Sequence, residues 1–393
     1  MYTLQMFTRI DQLISVLLII LNYFFIIYIL FDQRCPYCIY LNMATAMSKN
    51  SLESSFSSSS SSQSVEDSDC KNELLEVRHE LVDVEASLAP AVREIKDSVS
   101  RGETLAVDCE GDCLSRKGTL QLLSVATRNT VFLFDIVALK HAPFERGLRA
   151  VLESCDVKKL MFDCRGDADA LLHQFNVKLQ GVLDVQLLEV IQRPPSESSK
   201  TRNRSDRTDE VIHLAGLLSC LELFIKEEYL IKKKRNIIGI RDKWGVRPLS
   251  EEQIEYAKVD VFSLFMLYEK FSPDEEEKQR LVIASDQYVD LKRSIPVRDY
   301  NKYEDNPYLP INIIPAKGTT EVPTGYTACT TCRRRFPRDE FSKTQLKKRI
   351  QKCRTCRKVK LEIDVQKNRE DNWARAEDSS DEYGFGDDDN DAW

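Results

Sequence analysis

Two apolar runs in this chain end abruptly on clusters of carboxylates, and that constrains its fold more than any other feature. Leu105-Ala106-Val107 leads into Asp108-Cys109-Glu110-Gly111, and Leu160-Met161-Phe162 leads into Asp163-Cys164-Arg165-Gly166-Asp167-Ala168-Asp169. A third acidic element, Tyr256-Ala257-Lys258-Val259-Asp260, lies inside an amphipathic helical pattern that runs from Glu251 to Phe271. Carboxylates at the ends of buried strands are costly unless something positive meets them. Alternation along a strand puts Asp108 and Glu110 on one face and turns Cys109 into the core. Tyr256 and Asp260, four apart on a helix, share a face as well. Oxygen-only ligands select Mg²⁺ or Mn²⁺. Two such ions held about 3.5–4 Å apart clamp the attacking and leaving oxygens of a phosphodiester. Gly111 is expected to let a substrate backbone come close. Taken singly, each piece has a plainer reading: an exposed Asp-x-Glu, a packed tyrosine, a surface aspartate. Their order along the chain is what carries the signal.

In that order, with Trp244-Gly245-Val246-Arg247-Pro248-Leu249 ahead of the third element, the motifs resemble a known superfamily. Its members hydrolyse nucleic acids from the 3' end with four carboxylates and a tyrosine, and include RNase D and the exonuclease domain of the Werner helicase. Asp-Cys-Glu-Gly and Asp-Cys-Arg are similar to the Egalitarian-like eukaryotic branch. The resemblance implies an α/β, RNase H-like fold: a mixed sheet flanked by helices. It implies that Asp108 bridges two Mg²⁺ or Mn²⁺ ions, that Glu110 and Asp260 complete the first site, and that Asp167 serves the second. Tyr256 would orient the attacking water, and 5'-nucleoside monophosphates would leave from the 3' end. The second motif has two readings. Spacing from Phe162 points to Asp167, whereas the Egalitarian-like branch keeps its acid two positions later, at Asp169; Asp163 and Asp184 are also nearby. Some members of that branch resemble RNA-binding adaptors with a degraded site, so a non-catalytic adaptor of an RNA-processing or RNA-silencing complex is the alternative function.

The expected nuclease domain spans 79–275. Strands are expected at 81–84, 104–107, 119–126, 130–136 and 159–162, with helices at 87–98, 144–153 and 168–175. Residues 181–185 lead into a helix through Ile191, residues 211–231 return to helix, and 251–271 form a further one. The polar stretch 193–209 reads as an insertion and 276–325 as a linker. Arg165 and the cluster Lys232-Lys233-Lys234-Arg235 are candidates for contact with a nucleic-acid backbone.

Twelve cysteines in 393 residues are too few and too irregular for a disulfide scaffold. Cys329-Thr330-Thr331-Cys332 and Cys353-Arg354-Thr355-Cys356, twenty residues apart, instead fit a closed Cys₄ site for one structural Zn²⁺ over 326–362. Between Arg333 and Lys360 lie thirteen basic residues and two acids. The pattern of the module resembles small zinc domains of adaptors that link RNA interference to chromatin, which favours a protein partner, while its charge favours nucleic acid, RNA before DNA. The net charge of −7 is misleading, because residues 376–393 carry eight acids and no base. That acidic tail, 363–393, and the serine-rich stretch 48–78 read as disordered; the tail is a second candidate for binding a protein. Residues 13–31 are apolar enough to span a bilayer. Met43 and Met47 follow them, and a start at Met47 is preferred to a membrane anchor. A nuclear or cytoplasmic nuclease is expected, membrane-anchored only if residues 13–31 are translated.

Overall fold

The computed structural model describes residues 77–194, 211–235, 243–296, 303 and 306–380. The apolar segment 13–31, the serine tract, most of the 193–209 insertion and the end of the acidic tail lie outside these residues. Among the described residues, no helix is long and apolar enough to cross a membrane.

The core is a six-stranded mixed sheet. Its strands are β1 (Arg78–Val82), β2 (Leu105–Glu110), β3 (Leu122–Ala126), β4 (Thr130–Asp135), β5 (Lys159–Met161) and β6 (Val182–Asp184). Their order is β1-β4-β3-β2-β5-β6. β2, β3 and β4 form an antiparallel meander, while β1 joins β4, β5 joins β2 and β6 joins β5 in parallel. β3 and β4 are buried on both faces, which is why both are mostly apolar and lack a polar alternation, Ser124 being the one polar residue inside either strand.

Helices cover the sheet: α1 (Glu85–Ser100), the single turn α2 (Ile136–Leu139), α3 (Arg149–Glu153), α4 (Arg165–Phe175), α5 (Val185–Gln192), α6 (Leu217–Cys220), α7 (Glu228–Arg235), α8 (Glu251–Phe271) and α9 (Glu275–Arg293). α8 starts where the sequence says it must. Ser250 accepts from the backbone N–H of Gln253, and the Gln253 side chain returns a bond to the Ser250 N–H.

Two expectations for the middle of the chain change. Residues 211–231 are not one helix: 212–214 pair in extended form with 307–309, and Lys226 breaks the segment in left-handed geometry. Nor is 276–325 a linker. α9 opens with a capping box between Asp274 and Glu277 and buries Leu281, Ala284, Tyr288 and Val289. Its Ser285 hydroxyl accepts from the Asp184 N–H, Tyr288 donates to Gln186 Oε1, and Arg293 donates to the Leu179 carbonyl. The helix therefore completes the nuclease core. The chain after it is a strap, with Ile313 in the nuclease core and Ile311 in the core of the cysteine module.

That module holds a hairpin, β7 (Thr327–Ala328) and β8 (Arg335–Phe336), then α10 (Lys343–Lys348) and α11 (Arg354–Ser380). α11 carries regular structure well into the stretch expected to be a disordered tail.

Candidate active site

β2 delivers Asp108 and Glu110, and α8 delivers Asp260, to one point. Ligand oxygens of these three carboxylates lie within 4.8 Å of one another. Cys109 between them is buried, as alternation requires. Its backbone N–H donates to Asp167 Oδ1 at 3.0 Å, which fixes the first turn of α4 against the end of β2.

Asp167 and Asp169, two apart on α4, cannot share a face. Asp169 turns away to Arg116, whose Nε and Nη2 reach Asp169 Oδ1 at 2.9 and 2.7 Å. Arg116 also donates to the carbonyls of Lys292 and Ile295, so Asp169 ties the loop after β2 to the end of α9. Asp163 is paired with Arg165 at 2.5 and 2.6 Å. Asp184 caps α5 and accepts from the Cys164 N–H. Of the acids in the second motif, Asp167 is the one beside Asp108.

Electrostatics mark the cluster as short of positive charge. Burial, then the charges of Glu110, Asp260 and Asp167, push the Asp108 carboxyl well above the usual range, with Lys234 opposing. Burial brings Asp167 up to about 7 against the hydrogen bond from Cys109. Asp260 is raised by burial and held back by Lys234. Lys234 Nζ sits 2.7 and 2.5 Å from the two Asp260 oxygens, donates to the Tyr256 hydroxyl and lies 4.1 Å from that ring's centroid. One ammonium facing four carboxylates leaves an excess of negative charge, and hard oxygen donors fit divalent cations of the Mg²⁺ class. Tyr256 is buried, with its ring 6.1 Å from that of Trp244. Arg247, from the same Trp244–Leu249 segment, pairs with Asp135 and donates to the Gln121 carbonyl, tying the entry of α8 to β3 and β4.

The candidate substrate contacts divide. Arg165 is 4% exposed, bound to Asp163 and stacked 4.8 Å from the Tyr288 ring centroid, so it has no surface to offer a strand. Lys234 reaches into the carboxylates. Lys233 lies over Tyr229, Arg235 pairs with Glu222, and Lys232 is exposed. Gly111 is required by a different neighbour from the one expected: a Cβ there would meet the Thr119 carbonyl at 1.8 Å. The role of Lys234 was missed in the sequence, where it is one of four adjacent cations and nothing in the spacing says which one turns inward.

Residues 80–275 match the family model described as 3'-5' exonuclease. These residues are a 3'-5' exonuclease domain. The chain is similar to the piRNA biogenesis protein EXD1 of Mus musculus, 36% identical over 50% of this chain and 34% of that protein. It is also similar to the bifunctional 3'-5' exonuclease/ATP-dependent helicase WRN of Mus musculus, 26% identical over 45% of this chain and 11% of that protein. Among solved structures it is similar to the Trypanosoma brucei RNase D–GMP complex, with 25% identity, a TM-score of 0.46, and 58% and 68% of the two chains covered. The chain thus spans about a third of the EXD1 relative's length.

The four thiols of Cys329, Cys332, Cys353 and Cys356 also lie within 4.8 Å of one another. The Cys329 sulfur accepts from the backbone N–H groups of Thr331 and Cys353, both at 3.4 Å. Amides aimed at a sulfur stabilise a thiolate, the form that binds metal. Phe336 and Phe341 pack behind this cluster.

Proposed function

We propose that the protein is a metal-dependent 3'-5' exonuclease acting on RNA, with a structural Zn²⁺ in its C-terminal module. The observation that carries the reading is the convergence of Asp108, Glu110 and Asp260 within 4.8 Å, short of positive charge. Asp108, Glu110 and Asp260 would hold one Mg²⁺ or Mn²⁺, and Asp108 with Asp167 would hold a second. Bound there, the ions lower the pKa of a water nucleophile and neutralise charge that develops on the phosphodiester. The chain's own groups do the rest. The Tyr256 hydroxyl, which meets Lys234 and Asp260, would orient the water by hydrogen bonding. Trp244 backs the tyrosine ring and holds it there. The Cys109 amide steadies Asp167 against the charge of its neighbours.

RNA is favoured over DNA by the similarity to a piRNA biogenesis protein. The decisive test is hydrolysis of a 3'-overhang RNA and the matching DNA, with Mg²⁺, with Mn²⁺ and with a chelator, by the full chain and by Asp108→Ala. Shortening from the 3' end that needs metal and vanishes in Asp108→Ala is the expected result. RNA binding without shortening in either metal would remove the catalytic reading.

One observation favours a second reading, a non-catalytic RNA-binding adaptor: Lys234 already supplies Asp260 and Tyr256 with a cation. The two readings part at Lys234→Gln. In an exonuclease the ammonium and the metal compete for the same oxygens, so Lys234→Gln tightens Mn²⁺ binding several-fold in calorimetry. In an adaptor Lys234 stands in for the metal, and the variant loses stability with no gain in Mn²⁺ affinity.

A further inference from the structure

Nine of the thirteen basic residues between Arg333 and Lys360 sort into two sets. One set faces inward. Arg334 is partly buried, donates to the Ile311 carbonyl at 2.7 Å and lies 5.2 Å from the Phe336 ring centroid. Arg354 pairs with the buried Glu340, and Lys358 with Glu362. The Tyr308 hydroxyl donates to Glu362 as well, so these residues fasten the module to the strap that enters the nuclease core.

The other set faces out. Arg333, Arg335, Lys343, Lys347, Lys348 and Arg349 are all exposed. Among the described residues none of these six is in an ion pair. Of the two acids between Arg333 and Lys360, Glu340 is buried, so Asp339 is the one acid exposed in that stretch. The local structure keeps the two sets apart. Alternation on β8 turns Phe336 into the module and Arg335 out. The capping box of Ser342 and Gln345 holds α10 with no residue buried, so its lysines stay at the surface. Two large side chains are exposed as well: Tyr326 at 96%, just before β7, whose Ala328 pairs with Arg335, so that alternation sets Tyr326 on the Arg335 side of the hairpin, and Ile350 at 54%, next to Arg349.

Unpaired cations at this density repel one another and gain most from a polyanion that releases its counterions on binding. The exposed tyrosine on the Arg335 side of the hairpin offers a face on which an unpaired base can stack. Duplex recognition makes no use of such a ring, whereas a single strand does. We propose that this outward face binds single-stranded nucleic acid, with the cations on successive phosphates and Tyr326 under a base. That the bound strand is the one being degraded rests on the exonuclease reading above; the binding itself does not.

The test uses the full chain with Ca²⁺ in place of Mg²⁺, a long oligouridylate for binding by fluorescence anisotropy, and a trinucleotide for hydrolysis with Mg²⁺. Two variants are compared with the natural chain: charge-reversed Arg335→Glu/Lys347→Glu/Lys348→Glu and charge-conserving Arg335→Lys/Lys347→Arg/Lys348→Arg. The expected result is at least about tenfold weaker binding by the charge-reversed variant, and a slope of log K against log salt shallower by about 2. The charge-conserving variant binds as the natural chain does, and Tyr326→Ala weakens binding with the slope unchanged. Trinucleotide hydrolysis is the same in all. Equal affinity and slope for the charge-reversed variant, at an unchanged melting temperature, overturns the proposal and leaves the face to a protein partner. Loss of binding in the charge-conserving variant overturns it too, since charge would not then be the cause. If no variant hydrolyses RNA but the binding difference holds, this proposal stands and the exonuclease reading falls.

Discussion

At the scale of single residues, buried polar groups on β5 and β6 find hydrogen-bond partners in the backbone around them. Lys159 is the clearest case. It is fully buried on β5, and its amine donates to the carbonyls of Val151 and Ser154 at 3.0 and 2.8 Å. Burial brings its pKa down to about 7. In the unfolded chain a lysine titrates near 10.4. Between these values the unfolded state binds more protons, so stability rises with pH from about 7 to about 10.4 and is lost again as pH falls through that window. The contribution is at most about 1.4 kcal/mol per pH unit. The expected outcome is a melting temperature whose rise between neutral and mildly alkaline pH is larger in the natural chain than in Lys159→Met. Parallel curves for the two proteins would show that Lys159 stays charged in the fold. Asp184 is a second case. Asp184→Ala strips a helix cap and the acceptor of a buried amide together, and costs about 2–4 kcal/mol in denaturant titration. A cost below about 1 kcal/mol would mean that water replaces the carboxylate.

At the scale of elements, the informative comparison is between α8 and α9. α8 was legible from start to finish because everything that defines it is local: the Ser250–Gln253 capping box, the apolar period, and Ser272 in left-handed geometry closing it. α9 carries equally local signals, the Asp274–Glu277 box and apolar residues at 281, 284 and 288, yet a charged composition hid them. Its place in the nuclease core was not local at all. Only the fold brings Tyr288 to Gln186 and to the Arg165 guanidinium, and Arg116 to the end of the helix. Tyr288→Ala is expected to cost about 3–5 kcal/mol of unfolding free energy, the range for a large buried aromatic. A chain ending near residue 275, where the family match stops, should melt well below one ending at 296. A neutral Tyr288→Ala would mean that α9 is an appendage. The extended start of 211–231 was illegible for the same reason: residues 212–214 pair with 307–309, far along the chain.

At the scale of the whole molecule, the strap at 306–316 joins the cysteine module to the exonuclease core, with Ile311 on one side and Ile313 on the other. Four thiolates brought together without a metal repel one another, so with the proposed Zn²⁺ at this cluster the module folds on binding it and not before. Stripping the metal, or Cys353→Ser, is expected to abolish the lower of two calorimetric transitions and leave the exonuclease transition standing. A single transition that shifts as one would show that the strap couples the two parts into one cooperative unit.

The sequence by itself determined what depends on near neighbours and on chemical type. It placed Asp108 and Glu110 on one face of a strand, Tyr256 and Asp260 on one face of a helix, four cysteines at zinc spacing, and apolar runs long enough to build the sheet. Only the tertiary structure decided which acid of the second motif stands beside Asp108, that Arg165 is spent on Asp163, and that Lys234 alone of its cluster enters the carboxylates. It also decided that Gly111 yields to the chain's own Thr119 carbonyl. The physical reason is common to all four. Residue spacing sets the direction of a side chain relative to its own element, whereas the charge or atom it meets belongs to another element brought there by packing.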